Sequence, residues 1–166
     1  TALYRNSHGS GAVGKLWEEH HLKFAEFIKK FNPSKGVLEI GGGHGKLSRN
    51  YQEISPIKWF IVEPNNEGKD VDNIFYLDSF FDSNFKLESS IDLVIHSHVL
   101  EHIYYHNDFI ANISRFISKG DKHIFSVPNM KQMLINKYNN CLNFEHTVFL
   151  VEDYIEYLLL KHGFTL

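Results

Sequence analysis

A glycine cluster that follows a short apolar run is the segment of this sequence best suited to bind a ligand. Residues Val37–Ile40 are apolar apart from Glu39, and they lead directly into Gly41, Gly43 and Gly45. A strand, a tight turn and a helix start in this order let backbone N–H groups approach a ligand closely. The dinucleotide fingerprint G-x-G-x-x-G needs glycine at position 46, where this chain has lysine, and this argues against a nicotinamide cofactor.

Two acidic residues end the next apolar runs and extend the binding pattern. Glu63 follows residues 59–62, and Asp78 follows residues 74–77. In doubly wound sheets, an acid at the end of the second strand, about 20 residues past the glycines, accepts hydrogen bonds from ribose hydroxyls. Glu63 stands at that spacing, so the sequence predicts a nucleoside ligand.

Further apolar runs place these residues in an α/β fold. Residues 91–96 and 123–129 predict a fourth and a fifth strand, and residues 108–117 predict a helix between them. Strands that alternate with helices form a parallel sheet, whose ligands bind outside the carboxyl ends of the strands. We therefore predict a Rossmann-like, doubly wound, mostly parallel sheet.

Four motifs in this order resemble those of class I S-adenosylmethionine (SAM)-dependent methyltransferases. They are the E-x-G-x-G-x-G loop at 39–45, Glu63, Asp78, and the fourth-strand segment that runs from I-D-L-V at 91–94 to L-E-H at 100–102. The resemblance implies SAM as cofactor and S-adenosylhomocysteine (SAH) as product. That superfamily normally ends with a further strand pair, so we expect the final strands to be missing here, with residues 164–166 beginning one of them.

The resemblance also implies a role for each matching residue. The glycine loop, with Glu39, would pass close to the amino-acid part of SAM, and Glu63 would bind both ribose hydroxyls. Asp78, helped by Ser79, would contact the adenine, and His98 would complete the cofactor site. Glu39 has an alternative role, which is to hold the glycine turn in place.

Methyl transfer from SAM requires an aligned nucleophile and a group that accepts its proton. Histidine suits this task because its pKa is near neutral. We select His146, in the long loop after the fifth strand, as the general base. Glu145 would orient it or assist proton removal, and Tyr4 would donate a hydrogen bond to an enolate or alkoxide.

Two short segments resemble the C-methyltransferases that act on nucleotide-linked keto-deoxysugars. These are the Tyr-x-x-Ser-x-x-Ser pattern at 4–10 and the late Glu145-His146 pair. The likeness implies a small polar acceptor, most plausibly a nucleotide-activated sugar. The cysteine-rich zinc module and the following domain of those enzymes are absent from this sequence, and Asn143 stands where they usually have tyrosine.

Three other functions remain open at this point. One is O-methylation of a sugar or another small hydroxylated acceptor, and another is a SAM-binding module without catalysis. The third arises because residues 98–102 spell H-x-x-E-H, the spacing of an inverted zinc-protease motif. That motif follows a buried strand, and a protease has no use for the glycine loop and the two acids, so we predict no metal site.

Length and composition agree with one methyltransferase domain over residues 1–166, in which 1–14 would form an active-site lid. The net charge of −3 and the pI of 6.4 give no reason to expect a nucleic-acid partner. A single cysteine fits the reducing cytoplasm, and no apolar stretch is long enough to span a membrane. Helices are predicted near 15–31 and 151–162, with residues 154–160 in the core. The sequence does not predict an oligomeric state.

Overall fold

The computed structural model describes residues 14–64, 68–138 and 146–166. These residues form five helices and five strands, together with a short 3-10 helix at Leu100–His102. The strands are β1 (Val37–Ile40), β2 (Trp59–Val62), β3 (Ile74–Leu77), β4 (Leu93–Ser97) and β5 (Lys122–Ser126). The helices are α1 (Lys15–Lys29), α2 (Lys46–Ile54), α3 (His106–Phe116), α4 (Met130–Ile135) and α5 (Glu152–Lys161). Strands β2, β3 and β4 follow one another without an intervening helix.

The five strands form one parallel sheet in the order β3-β2-β1-β4-β5. Ile40 at the end of β1 pairs with Val62 at the end of β2 and with His96 in β4. This register brings the carboxyl ends of the strands to one edge of the sheet. The predicted α/β architecture is confirmed.

The central strands are hydrophobic because helices cover both of their faces. Every residue of β1 and β2 is buried, as expected for a parallel sheet with helices on each side. One core joins the sheet to α1 and α2 through Phe24, Ala25, Ile28, Leu47 and Tyr51. The other core joins it to α3 and α5 through Phe109, Ile110, Ile113, Leu158 and Leu159.

The last helix departs from one expectation. Leu158 and Leu159 are buried, whereas Tyr157 and Leu160 are 57% and 58% exposed, so residues 154–160 do not lie in the core as a block. An α-helix turns once every 3.6 residues, and positions 157 and 160 therefore share the face that points away from the sheet.

Among the described residues, no helix combines the length and hydrophobicity that a membrane span requires.

Glu39 is an acidic residue within the buried strand β1. Its side chain is almost inaccessible at 3% exposure, and Trp59 Nε1 donates a hydrogen bond of 2.7 Å to its carboxylate. Burial raises the pKa of Glu39 to about 7, although the hydrogen bond from Trp59 acts in the opposite direction. A Cβ atom at Gly42 would lie 2.6 Å from the Glu39 carboxyl carbon, so this side chain packs directly against the glycine turn.

Glu39 should make the stability of the domain depend on pH. Because its pKa rises from 4.5 to about 7 on folding, the folded state holds the proton more tightly and loses stability as the pH rises through this window. Glu39→Gln keeps an oxygen for Trp59 and should remove this loss. We compare the free energy of unfolding of the variant with that of wild type. This difference should favour the variant by a few kcal/mol more at pH 8 than at pH 5, because one pKa unit corresponds to about 1.4 kcal/mol.

Urea unfolding of wild type and variant at pH 5 and pH 8 measures this difference. Glu53→Gln, a change at an exposed site on α2, is the matched control and should follow wild type at both pH values. An identical pH dependence in Glu39→Gln and wild type would contradict the assignment of the titration to Glu39.

Candidate functional site

The turn between β1 and α2 has a backbone that favours glycine at alternate positions. Gly41, Gly43 and Gly45 have φ angles of 72°, 51° and 67°, in the left-handed region that other residues seldom adopt. A Cβ at Gly41 would lie 2.7 Å from Val99 Cγ2, and one at Gly45 would collide with the Tyr76 hydroxyl. A Cβ at Gly43 would meet nothing within 4 Å, so the turn is packed at both ends and open in the middle.

The two acids lie beside each other at the same edge of the sheet. The Glu63 amide donates a hydrogen bond of 3.1 Å to the Leu77 carbonyl, the last residue of β3, and Asp78 follows at once. Glu63 is half-buried and Asp78 is exposed. Ser79 Oγ donates to the Phe80 carbonyl at 3.2 Å. Asp78 and Ser79 line a cavity of about 390 Å³, whose lining includes neither Glu63 nor the glycine turn.

This arrangement fits SAM. The open space at Gly43 admits a ligand against the backbone, and a carboxylate after β2 suits the two hydroxyls of a ribose. The second carboxylate, Asp78, directly follows β3 and borders a cavity large enough for a nucleobase. The structure therefore brings together Gly41, Gly43, Gly45, Glu63 and Asp78, with Glu39 beneath the turn and Ser79 beside the last acid.

A second group of polar side chains follows β4. His98 has a φ of 53°, which is uncommon for a residue with a side chain, and its Nδ1 lies 3.1 Å from Glu101 Oε1. Between them Val99 packs against Gly41, so this group adjoins the glycine turn. The Glu101 side chain is only 2% exposed.

The segment that carries His146 is held against the 3-10 helix by its neighbour. The Thr147 amide donates to the Glu101 carbonyl at 2.8 Å, and the Thr147 hydroxyl donates to the Ile103 carbonyl at 2.6 Å. As a result the rings of His146 and His102 lie 5.0 Å apart between centroids, at an angle of 72°. The other two predicted catalytic residues, Tyr4 and Glu145, lie outside the described residues, as does the lid predicted for residues 1–14 except Gly14.

Helix α1 contributes to the site through a histidine that the sequence does not single out. His20 Nε2 lies 3.0 Å from Ser97 Oγ, and Ser97 Oγ lies 2.8 Å from Ser126 Oγ at the end of β5. Burial, followed by the nearby His98 and His21, lowers the pKa of His20 to about 4, so this ring is neutral at physiological pH. The sequence signals α1 through its apolar spacing, but no local pattern links His20 to serines on two distant strands.

The H-x-x-E-H segment does not adopt the conformation of a protease helix. Residues Leu100–His102 form a single 3-10 turn, and the left-handed backbone of His98 precedes it. The two histidines of the motif are therefore not on successive turns of one α-helix. Nothing in this geometry supports the zinc-protease alternative.

The parallel sheet has the order β3-β2-β1-β4-β5, with a glycine turn after β1 and acids after β2 and β3. It is the fold that the resemblance to class I SAM-dependent methyltransferases predicts, and solved methyltransferases share it. The chain belongs to a methyltransferase family: the model described as "Methyltransferase domain" matches residues 15–166. The predicted superfamily is thereby confirmed, while the narrower likeness to sugar C-methyltransferases stays a prediction. No curated protein matches the chain.

Solved methyltransferases share the fold at low sequence identity. One is a putative methyltransferase from an antibiotic biosynthesis pathway of Anabaena variabilis, with a TM-score of 0.68 and 16% identity over 85% of this chain and 60% of that protein. Another is the 1,6-didemethyltoxoflavin-N1-methyltransferase of Burkholderia thailandensis with bound SAH, at 0.67 and 16% over 91% and 71%. A third, a possible histamine N-methyltransferase of Thermotoga maritima, gives 0.66 and 19% over 89% and 72%. This chain thus spans less than two thirds of the first protein's length.

Two alanine substitutions should separate the packed glycine from the open one. Both Gly43→Ala and Gly45→Ala place a side chain at positive φ, which costs about 1 kcal/mol. Gly45→Ala must also displace Tyr76 and should lose clearly more stability. Gly43→Ala should stay folded yet bind SAH at least tenfold more weakly, because its methyl group would enter the ligand space.

Urea unfolding and calorimetric titration with SAH measure the two effects. Gly120→Ala is the matched control, since Gly120 also has a positive φ and open space but lies in the turn before β5. If Gly43→Ala and Gly120→Ala bind SAH equally well, Gly43 does not face the cofactor.

Proposed function

We propose that this domain binds SAM and transfers its methyl group to a small polar metabolite, most plausibly a nucleotide-activated sugar. The observation that carries the proposal is the glycine turn, which is packed at Gly41 and Gly45, open at Gly43 and flanked by the acids that follow β2 and β3. The single cysteine of the sequence and its net charge of −3 suit a cytoplasmic enzyme that acts on a metabolite rather than on nucleic acid.

In this proposal the residues at the strand ends hold the cofactor. Glu63 accepts hydrogen bonds from both ribose hydroxyls, and Asp78 with Ser79 binds the adenine. The turn at 41–45 and His98 border the amino-acid end, while Glu39 holds the turn from below through its contact with Gly42. When bound, SAM supplies an electrophilic methyl group on a sulfonium, whose carbon–sulfur bond breaks as the acceptor bond forms.

On the acceptor side, His146 takes the proton that the acceptor must lose. Its ring lies beside that of His102 in the 3-10 helix, and the hydrogen bonds of Thr147 hold that segment in place. Glu145 orients His146, and Tyr4 donates a hydrogen bond to the developing enolate or alkoxide. A positioned base of this kind contributes about 10²–10⁴ in rate, and alignment supplies the rest.

Oxygen methylation is a second candidate, and one observation favours it. Glu101, His102 and His146 each offer a donor atom within 4.8 Å of the others, an arrangement suited to binding an oxygen acceptor through a cation.

A SAM-binding module without catalysis is the alternative of another class, and it differs in predicting that no acceptor consumes SAM.

Calorimetric titration with SAH tests the cofactor site first. We expect wild type to bind with a Kd near micromolar, about −8 kcal/mol, and to ignore NAD. Glu63→Ala should weaken SAH binding at least tenfold, because two ribose hydroxyls lose their acceptor. Glu53→Ala, an exposed change on α2, should leave the affinity unaltered. A folded wild-type protein that binds no SAH would overturn the proposal.

Activity separates an enzyme from a binding module. His146→Ala should lower methyl transfer to a nucleotide-linked keto-deoxysugar by about 10²–10⁴ while SAH affinity stays within twofold of wild type. His162→Ala, at the far end of α5, is the control and should retain full activity. For carbon transfer, the proton next to the ketone should exchange in deuterated water before any methyl is transferred. If no acceptor consumes SAM, the binding-module alternative gains.

A further inference from the structure

Glu101 has an unexplained carboxylate oxygen in a buried position. The side chain is 2% exposed, and one oxygen lies 3.1 Å from His98 Nδ1. The other oxygen, Oε2, is buried and has no hydrogen-bond partner among the described residues. A buried polar atom without a partner costs about 1–3 kcal/mol, and more for a charged group. A ligand that binds this oxygen would remove the penalty.

Two imidazole rings supply the remaining donors at the same place. One ligand atom from each of Glu101, His102 and His146 lies within 4.8 Å of the other two. The centroids of the two rings lie 5.0 Å apart, and the ring planes cross at 72° rather than stacking. Three donors held about 2.1 Å from a common ion are separated by less than about 4.2 Å, and a small rotation of the half-buried histidines closes that difference.

The cluster is built by the fold and does not depend on flexible side chains alone. Glu101 and His102 are adjacent in the 3-10 helix, and Thr147 fixes the backbone next to His146 to the carbonyls of Glu101 and Ile103. His98 contacts the carboxylate through Oε1, as residues around a metal centre orient its ligands. His98 makes this contact from an uncommon left-handed backbone conformation.

We propose that Glu101, His102 and His146 bind one divalent transition-metal cation. Two imidazole nitrogens and one carboxylate oxygen form the donor set that Zn²⁺ and Fe²⁺ take in sites with open positions. Calcium and magnesium prefer oxygen donors and fit this set poorly. His98 acts here as a positioning residue, since it contacts the carboxylate and not the ion.

The place of the cluster suggests its use, and this step rests on the proposed methyl transfer. Val99 links the 3-10 helix to Gly41 of the cofactor turn, so a cation held after β4 lies next to that turn. Its open positions would take oxygens of the acceptor, which identifies the acceptor as a molecule with a hydroxyl group. A cation lowers the pKa of a bound hydroxyl, as it does for bound water, so the hydroxyl proton passes to solvent water. The oxygen then bonds the methyl carbon as the carbon–sulfur bond of SAM breaks and SAH leaves, and His146 acts as a ligand in place of the general base.

Titration with Co²⁺ tests the cation site on tag-free protein that has been dialysed against chelator. We expect one Co²⁺ per chain, with visible absorption bands of a nitrogen- and oxygen-bound ion and a Kd of about micromolar. Glu101→Gln and His146→Ala should each weaken binding at least tenfold and remove the bands. His162→Ala should bind Co²⁺ as wild type does, because its ring lies at the surface beside Asn107.

The same samples are titrated with SAH, so that a failure of the cation site can be distinguished from a failure of the proposed SAM-dependent function. SAH binding within twofold of wild type shows that a variant is folded with an intact cofactor turn. If Glu101→Gln does not fold, His102→Ala, at a half-buried position, replaces it. Wild type that binds Co²⁺ no more tightly than these folded variants overturns the cation site. Loss of SAH binding in wild type overturns the proposed function and leaves the cation result standing.

Activity of the chelated protein tests the assigned use of the cation. We expect methyl transfer to a hydroxylated acceptor to fall at least tenfold after chelation and to recover with added Zn²⁺ or Mn²⁺. Activity that is unaffected by chelation in wild type and by Glu101→Gln would return His146 to the role of a free general base and overturn the assignment of the cation to the reaction.

Discussion

The pairing of β1 with both β2 and β4 is the constraint on which the rest of the structure depends. Ile40 is in register with Val62 on one side and with His96 on the other. Because all three strands are parallel, the residues that follow them emerge along one edge of the sheet. This edge therefore brings together three segments that are distant in the sequence: the glycine turn, Glu63 and the residues around His98. A shift of one residue in this register would turn every side chain of the strand to the opposite face.

The buried strand β1 contains an acidic residue, Glu39, whose burial disfavours its ionised form. The strand is covered on both faces, so an acid within it must exchange water for the single hydrogen bond from Trp59. That hydrogen bond ties β1 to β2, and the carboxylate in turn supports Gly42 from below. The raised pKa of Glu39 follows from this position. The interior of the sheet thus shapes the ligand turn at its edge.

Helix α1 stabilises the strand ends on the other side of the turn. Trp17 meets His98 edge to face at 4.8 Å, and His20 reaches Ser97 and Ser126 at the ends of β4 and β5. Each neutral hydrogen bond contributes about 1 kcal/mol, which is enough to fix a ring but not to form the helix. The amphipathic packing of Phe24, Ala25 and Ile28 does that. Helix α1 is therefore both part of the core and part of the site's wall.

Two of the histidines, His96 and His123, serve the fold and not the candidate site. The rings of the buried His96 and the half-buried His123 lie 5.1 Å apart among aromatic side chains, and burial lowers the pKa of both. They behave as neutral aromatic residues and have no polar partner among the described residues. His98, His102 and His146 differ because they lie at the strand edge, next to a carboxylate. Position in the fold, rather than residue type, separates the structural histidines from the candidates for function.

The sequence by itself determined the elements and the cofactor turn, because both are encoded locally. Runs such as Trp59–Val62 predict buried strands from composition alone, and a backbone at positive φ restricts Gly41, Gly43 and Gly45 within a few residues. The acids Glu63 and Asp78 are identified by their distance from these strands. The α/β class and the methyltransferase superfamily followed from these local features and are confirmed by the sheet order and the family match.

Only the tertiary structure decided which distant side chains meet. Helix α3, strand β5 and helix α4 lie between Glu101 and His146 in the chain. Their proximity depends on hydrogen bonds that Thr147 makes to backbone carbonyls. The H-x-x-E-H pattern suggests an α-helix, but a 3-10 turn after a left-handed residue forms in its place. Contacts between residues far apart in the chain are set by strand order, register and helix packing, and no short sequence pattern encodes these.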